Sequence, residues 1–320
     1  MIQPTLRPIR NTGVLIPPLC FGTSGLGDMP GTYGYSVDAA RAKATVAAVL
    51  DGPMPCLDSA RNYGMGRSET RLGAVLRARG GLPEGAMLST KLDRCMETGR
   101  FDAARAATSL AESRAALGID HIPLMHLHDP EHARDLDECH SAIEALFAMK
   151  ARGDVGAVGL AMGRLDIMEP LVRTYPWDAI ISHNRYTLLN RSADALFDYA
   201  YAQGIAILNA APFAGGVLAK GAAAMPRITY QPADAATLAP VRRIEALCAE
   251  YGVAPGALAL QFSIRDPRIA STIVGVSKPD RVAQTLDWAC ADIPTALWDA
   301  LDGLMYETTD PEANRVYSPD

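Results

Sequence analysis

Asp58, Tyr63, Lys91 and His128 are residue types that together can move a proton. They occur in Leu57-Asp58-Ser59-Ala60-Arg61-Asn62-Tyr63-Gly64, Ser89-Thr90-Lys91-Leu92 and His126-Leu127-His128-Asp129-Pro130. Each segment ends a short apolar run that reads as a strand. A phenol titrates near ~10 in water, too high for ready proton exchange at neutral pH. An adjacent lysine ammonium favours the phenolate and is expected to lower that value. A carboxylate keeps the lysine charged and oriented, and a histidine gives the reacting oxygen a further hydrogen bond. Tyr63 is thus a candidate general acid/base. Any one of these residues alone is more simply a surface residue. Their joint placement at three consecutive strand ends argues against that.

Strand-like and helix-like runs alternate around them. A small hairpin is expected over Leu6 to Ile16. Strands are expected at Pro18 to Thr23, Cys56 to Asp58, Ala86 to Lys91, Ile122 to His128, Ala157 to Ala161, Ala179 to Ser182, Ile205 to Asn209 and Ser271 to Val276. The helices between them are Ser36 to Leu50, with Ser36 as cap, then Arg67 to Arg79, Ala103 to Leu117, Leu136 to Arg152, Leu165 to Tyr175 and Ala193 to Gln203. A mobile loop (Lys220 to Thr237) and a long helical region (Val241 to Ile264) precede the last strand, and Pro279 to Ala289 follows it. The tail, Tyr306 to Asp320, either folds over the barrel mouth or is disordered. Eight βα units favour a single α/β domain over residues 1–320, a (β/α)8 TIM barrel. Asp58, Lys91 and His128 would then sit at the C-terminal strand ends, the face where such barrels place catalytic groups.

Composition bounds the function. The chain has 320 residues, 49% hydrophobic and 21% charged, with a net charge of -6. That fits a globular protein with a large core and argues against nucleic-acid or anionic-membrane partners. Cys20, Cys56, Cys95, Cys139, Cys248 and Cys290 are scattered and read as reduced, mostly buried thiols of a cytoplasmic protein. No signal core or bilayer-length apolar run occurs. His126 and His128 share a strand face. His128 lies nearer the mouth, and His126 reads as buried one layer down. His121 and His132 read as exposed, and Trp177, Trp288 and Trp298 as packing residues.

The chain resembles the aldo-keto reductase family over nearly its full length. The resemblance is carried by Gly22-Thr23, Asp58 to Tyr63, Ser89-Thr90-Lys91 and His128-Asp129-Pro130. It continues through Ser182-His183-Asn184 and Ile273-Val274-Gly275-Val276-Ser277-Lys278-Pro279. Leu127-His128-Asp129-Pro130 and Ala211-Pro212-Phe213-Ala214-Gly215-Gly216 look like the sugar dehydrogenase branch, which holds aldose, L-galactose and pyridoxal dehydrogenases. The resemblance implies a nicotinamide cofactor, NAD or NADP, and the catalytic tetrad Asp58, Tyr63, Lys91 and His128. Gly22, Thr23 and Gly275 would flank the cofactor. Its pyrophosphate would meet backbone N–H groups of Phe213, Ala214, Gly215, Gly216 and Leu218, and Ser277, Lys278 and Arg281 would face the adenosine ribose. Two departures stand out. Ala161-Met162 replaces the Ser-Asn that holds the carboxamide in the family, and Asn184-Arg185 stands where many members have Asn-Gln. Cofactor orientation is then expected to rest on Asn184. No metal is implied. The expected partner is a small sugar or aldehyde, the expected assembly a monomer or homodimer. A metal-dependent barrel hydrolase and a cofactor-sensing subunit on the same fold are the competing readings.

Overall fold

The computed structural model describes residues 5–313. Eight parallel strands close into a barrel: β1 Leu19–Gly22, β2 Cys56–Asp58, β3 Met87–Leu92, β4 Ile122–His128, β5 Val155–Met162, β6 Ala179–His183, β7 Ala206–Ala210 and β8 Ile269–Gly275. β8 pairs with β1, with Thr272 opposite Leu19 and Gly275 opposite Gly22. Around it lie α1 Ala39–Leu50, α2 Arg67–Ala78, α3 Ala103–Leu117, α4 Glu138–Ala151 and α5 Leu165–Thr174. α6 Asp194–Ala202, α7 Ala239–Glu250, α8 Pro255–Ile264, α9 Pro279–Cys290 and α10 Thr295–Leu301 follow, and two four-residue helical turns, Pro30–Tyr33 and Val217–Lys220, lie in loops at the mouth. The expected TIM barrel is the fold.

The two-residue period of a strand sorts its side chains into two cores. Leu57, Leu88, Met125, Val158, Ile180 and Ile207 pack outward among the helices. Cys20, Cys56, Met87, Leu124, Ala157, Ala179 and Leu208 fill the interior. Ile9 and Ile16, from the hairpin pairing Arg7–Pro8 with Leu15–Ile16, join this inner cluster and close the barrel floor. Burying each such aliphatic side chain contributes about 1.5–3 kcal/mol before entropy is counted. This filled interior leaves only the upper layer free for chemistry.

The structure corrects several expectations. α1 is capped by Asp38, whose Oδ1 accepts from Arg41 N at 2.8 Å, rather than by Ser36. The long helical region is two helices, because Gly252 adopts φ +66° and Pro255 can open α8 but not continue α7. The Lys220 to Thr237 stretch holds a small antiparallel ladder, Arg227–Ile228 against Gln231–Pro232. The amphipathic turn of α10 was not anticipated. Tail residues 306–313 pack on the mouth side, where Glu307 N donates to Leu189 O at 2.9 Å and Arg191 N to Glu307 O at 2.8 Å. The rest of the tail lies outside the described residues. His132 is half-buried rather than exposed, and Cys290 is exposed. Among the described residues no helix is long and apolar enough to cross a membrane.

Candidate active site

The uppermost inward residue of each strand forms a ring: Gly22, Asp58, Lys91, His128, Ala161, His183, Ala210 and Gly275. All eight line one cavity of about 460 Å³. That volume falls in the range of small-molecule sites, roughly 300–1,000 Å³. The ring is divided. β2, β3, β4 and β6 contribute ionisable groups, whereas β1, β5, β7 and β8 contribute glycine or alanine and leave room.

On the reactive side, Lys91 is 2% exposed. Its Nζ donates to Asp58 Oδ2 and to Ser59 O, both at 2.6 Å, and to Tyr63 Oη at 3.1 Å. The Tyr63 and His128 rings meet edge to face with centroids 5.6 Å apart. His128 Nδ1 lies 2.7 Å from Asp93 Oδ1. The Tyr63 loop is set by close backbone approach. Gly64 has φ +59°, and a Cβ there would fall 1.9 Å from Gly27 O, so only glycine lets this loop dock on the turn after β1. One layer down, His126 is fully buried and pairs with Ser89 Oγ at 3.2 Å, as its strand position implied. Burial first, then the charges of Lys91 and His128, hold it well below the ordinary histidine value, so it is a neutral packing group.

The electrostatics differ from the expectation for Tyr63. Its phenol lies well above its ordinary value, chiefly through burial, with Asp58, Tyr33, Asp129 and Asp93 adding to the effect. The Lys91 charge is balanced by Asp58 at 2.6 Å, which leaves little of it for the phenolate. Tyr63 therefore rests as a phenol, the form of a general acid. Positive charge entering the cavity would favour its deprotonation. His128 moves the other way relative to burial. Desolvation opposes its charge, but Asp129 and Asp93 outweigh this and raise it above the ordinary value.

The far end of the cavity suits an extended polyanion. Phe213, Gly215, Gly216, Ser277, Lys278 and Arg281 line it. Lys220 and Arg227, from the stretch expected to be only a mobile loop, line it too, as does Trp288, which had read as a packing residue. Burial first, and the nearby Arg281 charge second, lower the Lys220 ammonium. A Cβ on Gly275 would meet no atom within 4 Å, so the bare backbone leaves open space there. Tyr33 and Tyr230 meet edge to face at 6.1 Å, linking the loop after β1 to the loop after β7 across the cavity. A nicotinamide dinucleotide fits this combination of bare backbone, cations and aromatic faces.

Some expected contacts are placed elsewhere. Asn184 adopts φ +61° and does not line the cavity. Its Nδ2 donates to Glu312 Oε2 of the tail at 3.1 Å. Arg185, 1% exposed, is held by Asp310 at 2.6 and 3.0 Å and by Glu312 at 3.3 Å. His183 is the polar side chain of β6 that does reach the cavity, and its Nε2 lies 3.3 Å from Glu312 Oε2. Thr23 is fully buried, with Oγ1 donating to Asp58 O at 3.0 Å. The N–H groups of Ala214, Gly216 and Leu218 are already bonded to Ala211 O, Phe213 O and Phe213 O. Arg94 and Met96 line the site from the loop after β3, whose residues 94–101 were expected to meet substrate; Asp93, Asn62 and Asp129 line it too and had been given no role. Asp93 left a signal as a second charge two residues after Lys91, and Asn62 and Asp129 stand inside the segments that carry Tyr63 and His128.

Residues 18–305 match the sequence profile described as the aldo/keto reductase family. The chain belongs to that family. As an aldo-keto reductase it is an NAD(P)-dependent oxidoreductase, and membership decides against the metal-dependent hydrolase. It is 29% identical to the pyridoxal 4-dehydrogenase of Microbacterium luteolum, over 93% of this chain and 97% of that one. It is 31% identical to the D-threo-aldose 1-dehydrogenase of Pseudomonas sp, over 90% and 94%. With the L-galactose dehydrogenase of Arabidopsis thaliana the identity is 29%, over 89% and 88%. Among solved structures, the holo form of an aldo-keto reductase from Bacillus halodurans superposes with a TM-score of 0.78 at 20% identity, covering 98% of this chain and 100% of that one. This last likeness speaks for the fold.

Proposed function

We propose that this aldo-keto reductase oxidises a cyclic aldose at C1 to the lactone, with Tyr63 as the proton-transfer group. The observation that carries the reading is the contact of Lys91 Nζ with Tyr63 Oη at 3.1 Å inside the ligand-sized cavity. The nicotinamide, when bound, supplies the hydride acceptor. Lys91, anchored on Asp58 and Ser59 O, fixes the phenol through its hydrogen bond to Tyr63 Oη. Oxidation requires Tyr63 as the phenolate, whose Oη takes the substrate hydroxyl proton; in the reverse direction the resting phenol gives its proton to the carbonyl oxygen. His128 supplies a second hydrogen bond to the same oxygen and fixes its approach.

Two features support a polyhydroxylated substrate. Asn62, Arg94, Asp129 and His183 surround the tetrad with donors and acceptors suited to several hydroxyls. A relative of nearly equal length is named for a D-threo-aldose. The second reading is pyridoxal oxidation, favoured by Tyr33, Met29 and Met96 on the cavity wall, which would pack against a pyridine ring. The cations Lys220, Arg227, Lys278 and Arg281 support NADP over NAD through charge-assisted bonds to the additional phosphate. The test is nicotinamide reduction with NAD and NADP separately against L-fucose, D-arabinose, L-galactose, D-glucose and pyridoxal. Turnover of an aldose upholds the proposal. Turnover of pyridoxal alone replaces it with the second reading. Cofactor binding without turnover of any of the five contradicts both.

A further inference from the structure

Asp93 stands outside the tetrad, yet it joins the two segments that carry Tyr63 and His128. It lies just past β3, two residues beyond Lys91, and is fully buried. Oδ1 is 2.7 Å from His128 Nδ1, and Oδ2 accepts from the backbone N–H of Asn62, next to Tyr63, at 2.8 Å. α3 holds Asp93 in turn. Its N–H donates to Ser109 Oγ at 3.0 Å, and its carbonyl accepts from Arg105 Nε at 2.9 Å. One rigid carboxylate therefore spaces the imidazole from the loop of the phenol.

The contact also dictates a tautomer. An ionised carboxylate only accepts, so His128 Nδ1 must carry a hydrogen. With that hydrogen committed, a neutral ring offers only a lone pair at Nε2, and only the imidazolium offers an Nε2–H donor. Nε2 lies 3.5 Å from Asp129 Oδ2, so carboxylates flank both ring nitrogens. The other ionisable groups facing the ring are Lys91 from β3, the neutral His126 below it on β4, and the Tyr63 phenol. Arg94, His132 and His183 act on it through Asp129.

We propose that Asp93 is a positioning residue of this site: it holds His128 as a cationic Nε2–H donor and sets its spacing from Tyr63. The inference rests on reading the cavity as the reaction site. The balance of charges around His128 agrees with it, since Asp129 and Asp93 outweigh the burial that opposes ionisation.

The experiment is a histidine-ring NMR titration of the full chain without substrate. It compares wild type, Asp93→Asn and Asp93→Ala, with His128→Gln to assign the resonance and kcat and KM measured alongside. In wild type the His128 midpoint lies above the ordinary ~6.5. In Asp93→Asn, which keeps an acceptor for the Asn62 N–H, it falls by about one unit or more. kcat drops about tenfold or more while the cofactor KM stays within about twofold. The proposal is overturned if wild-type His128 titrates at or below ~6.5. It is equally overturned if Asp93→Asn restores both titration and kcat relative to Asp93→Ala, since Asp93 would then be only a structural link. Should neither variant fold, the wild-type midpoint and the one-bond N–H couplings still decide. The titration needs no sugar, so failure of the aldose reading is separately visible.

Discussion

The two sides of the barrel mouth are built on opposite principles. At the ends of β2 to β4 and in the loops that follow, the side chains are polar and bonded to one another: Asp58 to Lys91, Lys91 to Tyr63, and Asp93 to His128. On β5, β7 and β8 the corresponding positions are Ala161, Ala210 and Gly275, whose side chains carry no hydrogen-bonding group. The reactive side is assembled from three strand ends and the first residues of the loops after them, and its hydrogen bonds preorganise it, as proton transfer demands. The open side is carved by deleting side chains, and its polar contacts come from loops and from a tail that crosses back to Arg185. Chemistry should therefore depend on the first side and ligand affinity on the second.

Substitutions can break that division. The largest effect is expected for Tyr63→Phe. Cofactor affinity should be retained and kcat should fall about 10²–10⁴-fold, measured by binding titration beside steady-state kinetics. Lys91→Met should lose comparable activity. It should also destabilise the fold by about 3–5 kcal/mol, because it strands Asp58 as a buried unpaired charge; denaturant unfolding measures this. On the open side, Gly275→Leu should weaken cofactor binding by about 1–3 kcal/mol with kcat at saturation nearly kept. The backbone there tolerates a side chain, so a variant that loses kcat but not affinity would merge the two sides into one. Arg185→Ala should release Asp310 and Glu312, speed hydrogen exchange across residues 306–313 and raise KM through His183.

The smallest effect concerns Glu131, at the edge of the reactive side. Its carboxyl is raised to about 7, by burial first and the Asp129 charge second, while it accepts from Gly163 N and Arg164 N. A carboxyl raised on folding stabilises the fold fully below its unfolded value. That contribution is lost as pH rises from about 4.5 through about 7. Glu131→Gln should thus gain on the order of 1 kcal/mol relative to wild type between pH 5 and pH 8, read as a difference in Tm. A pH-independent difference would place the carboxyl in water.

The reactive side was legible in the sequence, and much of the open side was not. Asp58, Lys91 and His128 end apolar runs, and strand alternation alone turns them to one face. Backbone conformation outside strands has no such rule. Asn184 follows β6 directly, yet φ +61° carries it to the tail, and His183 takes its place at the cavity. Lys220 and Arg227 looked like a mobile loop, because nothing local encodes the turn Val217–Lys220 and the ladder at Arg227–Ile228 that place them on the cavity. The direction of the Tyr63 shift was missed because residue types reveal a lysine's proximity but not the burial and carboxylates that oppose it.

The most direct test of the central claim is the rate of reduced nicotinamide formation with an aldose, measured for wild type and Tyr63→Phe at saturating cofactor. Turnover by wild type that is almost abolished in a variant still binding cofactor is the predicted result. Near-wild-type turnover by Tyr63→Phe would remove the phenol from the reaction and contradict the account.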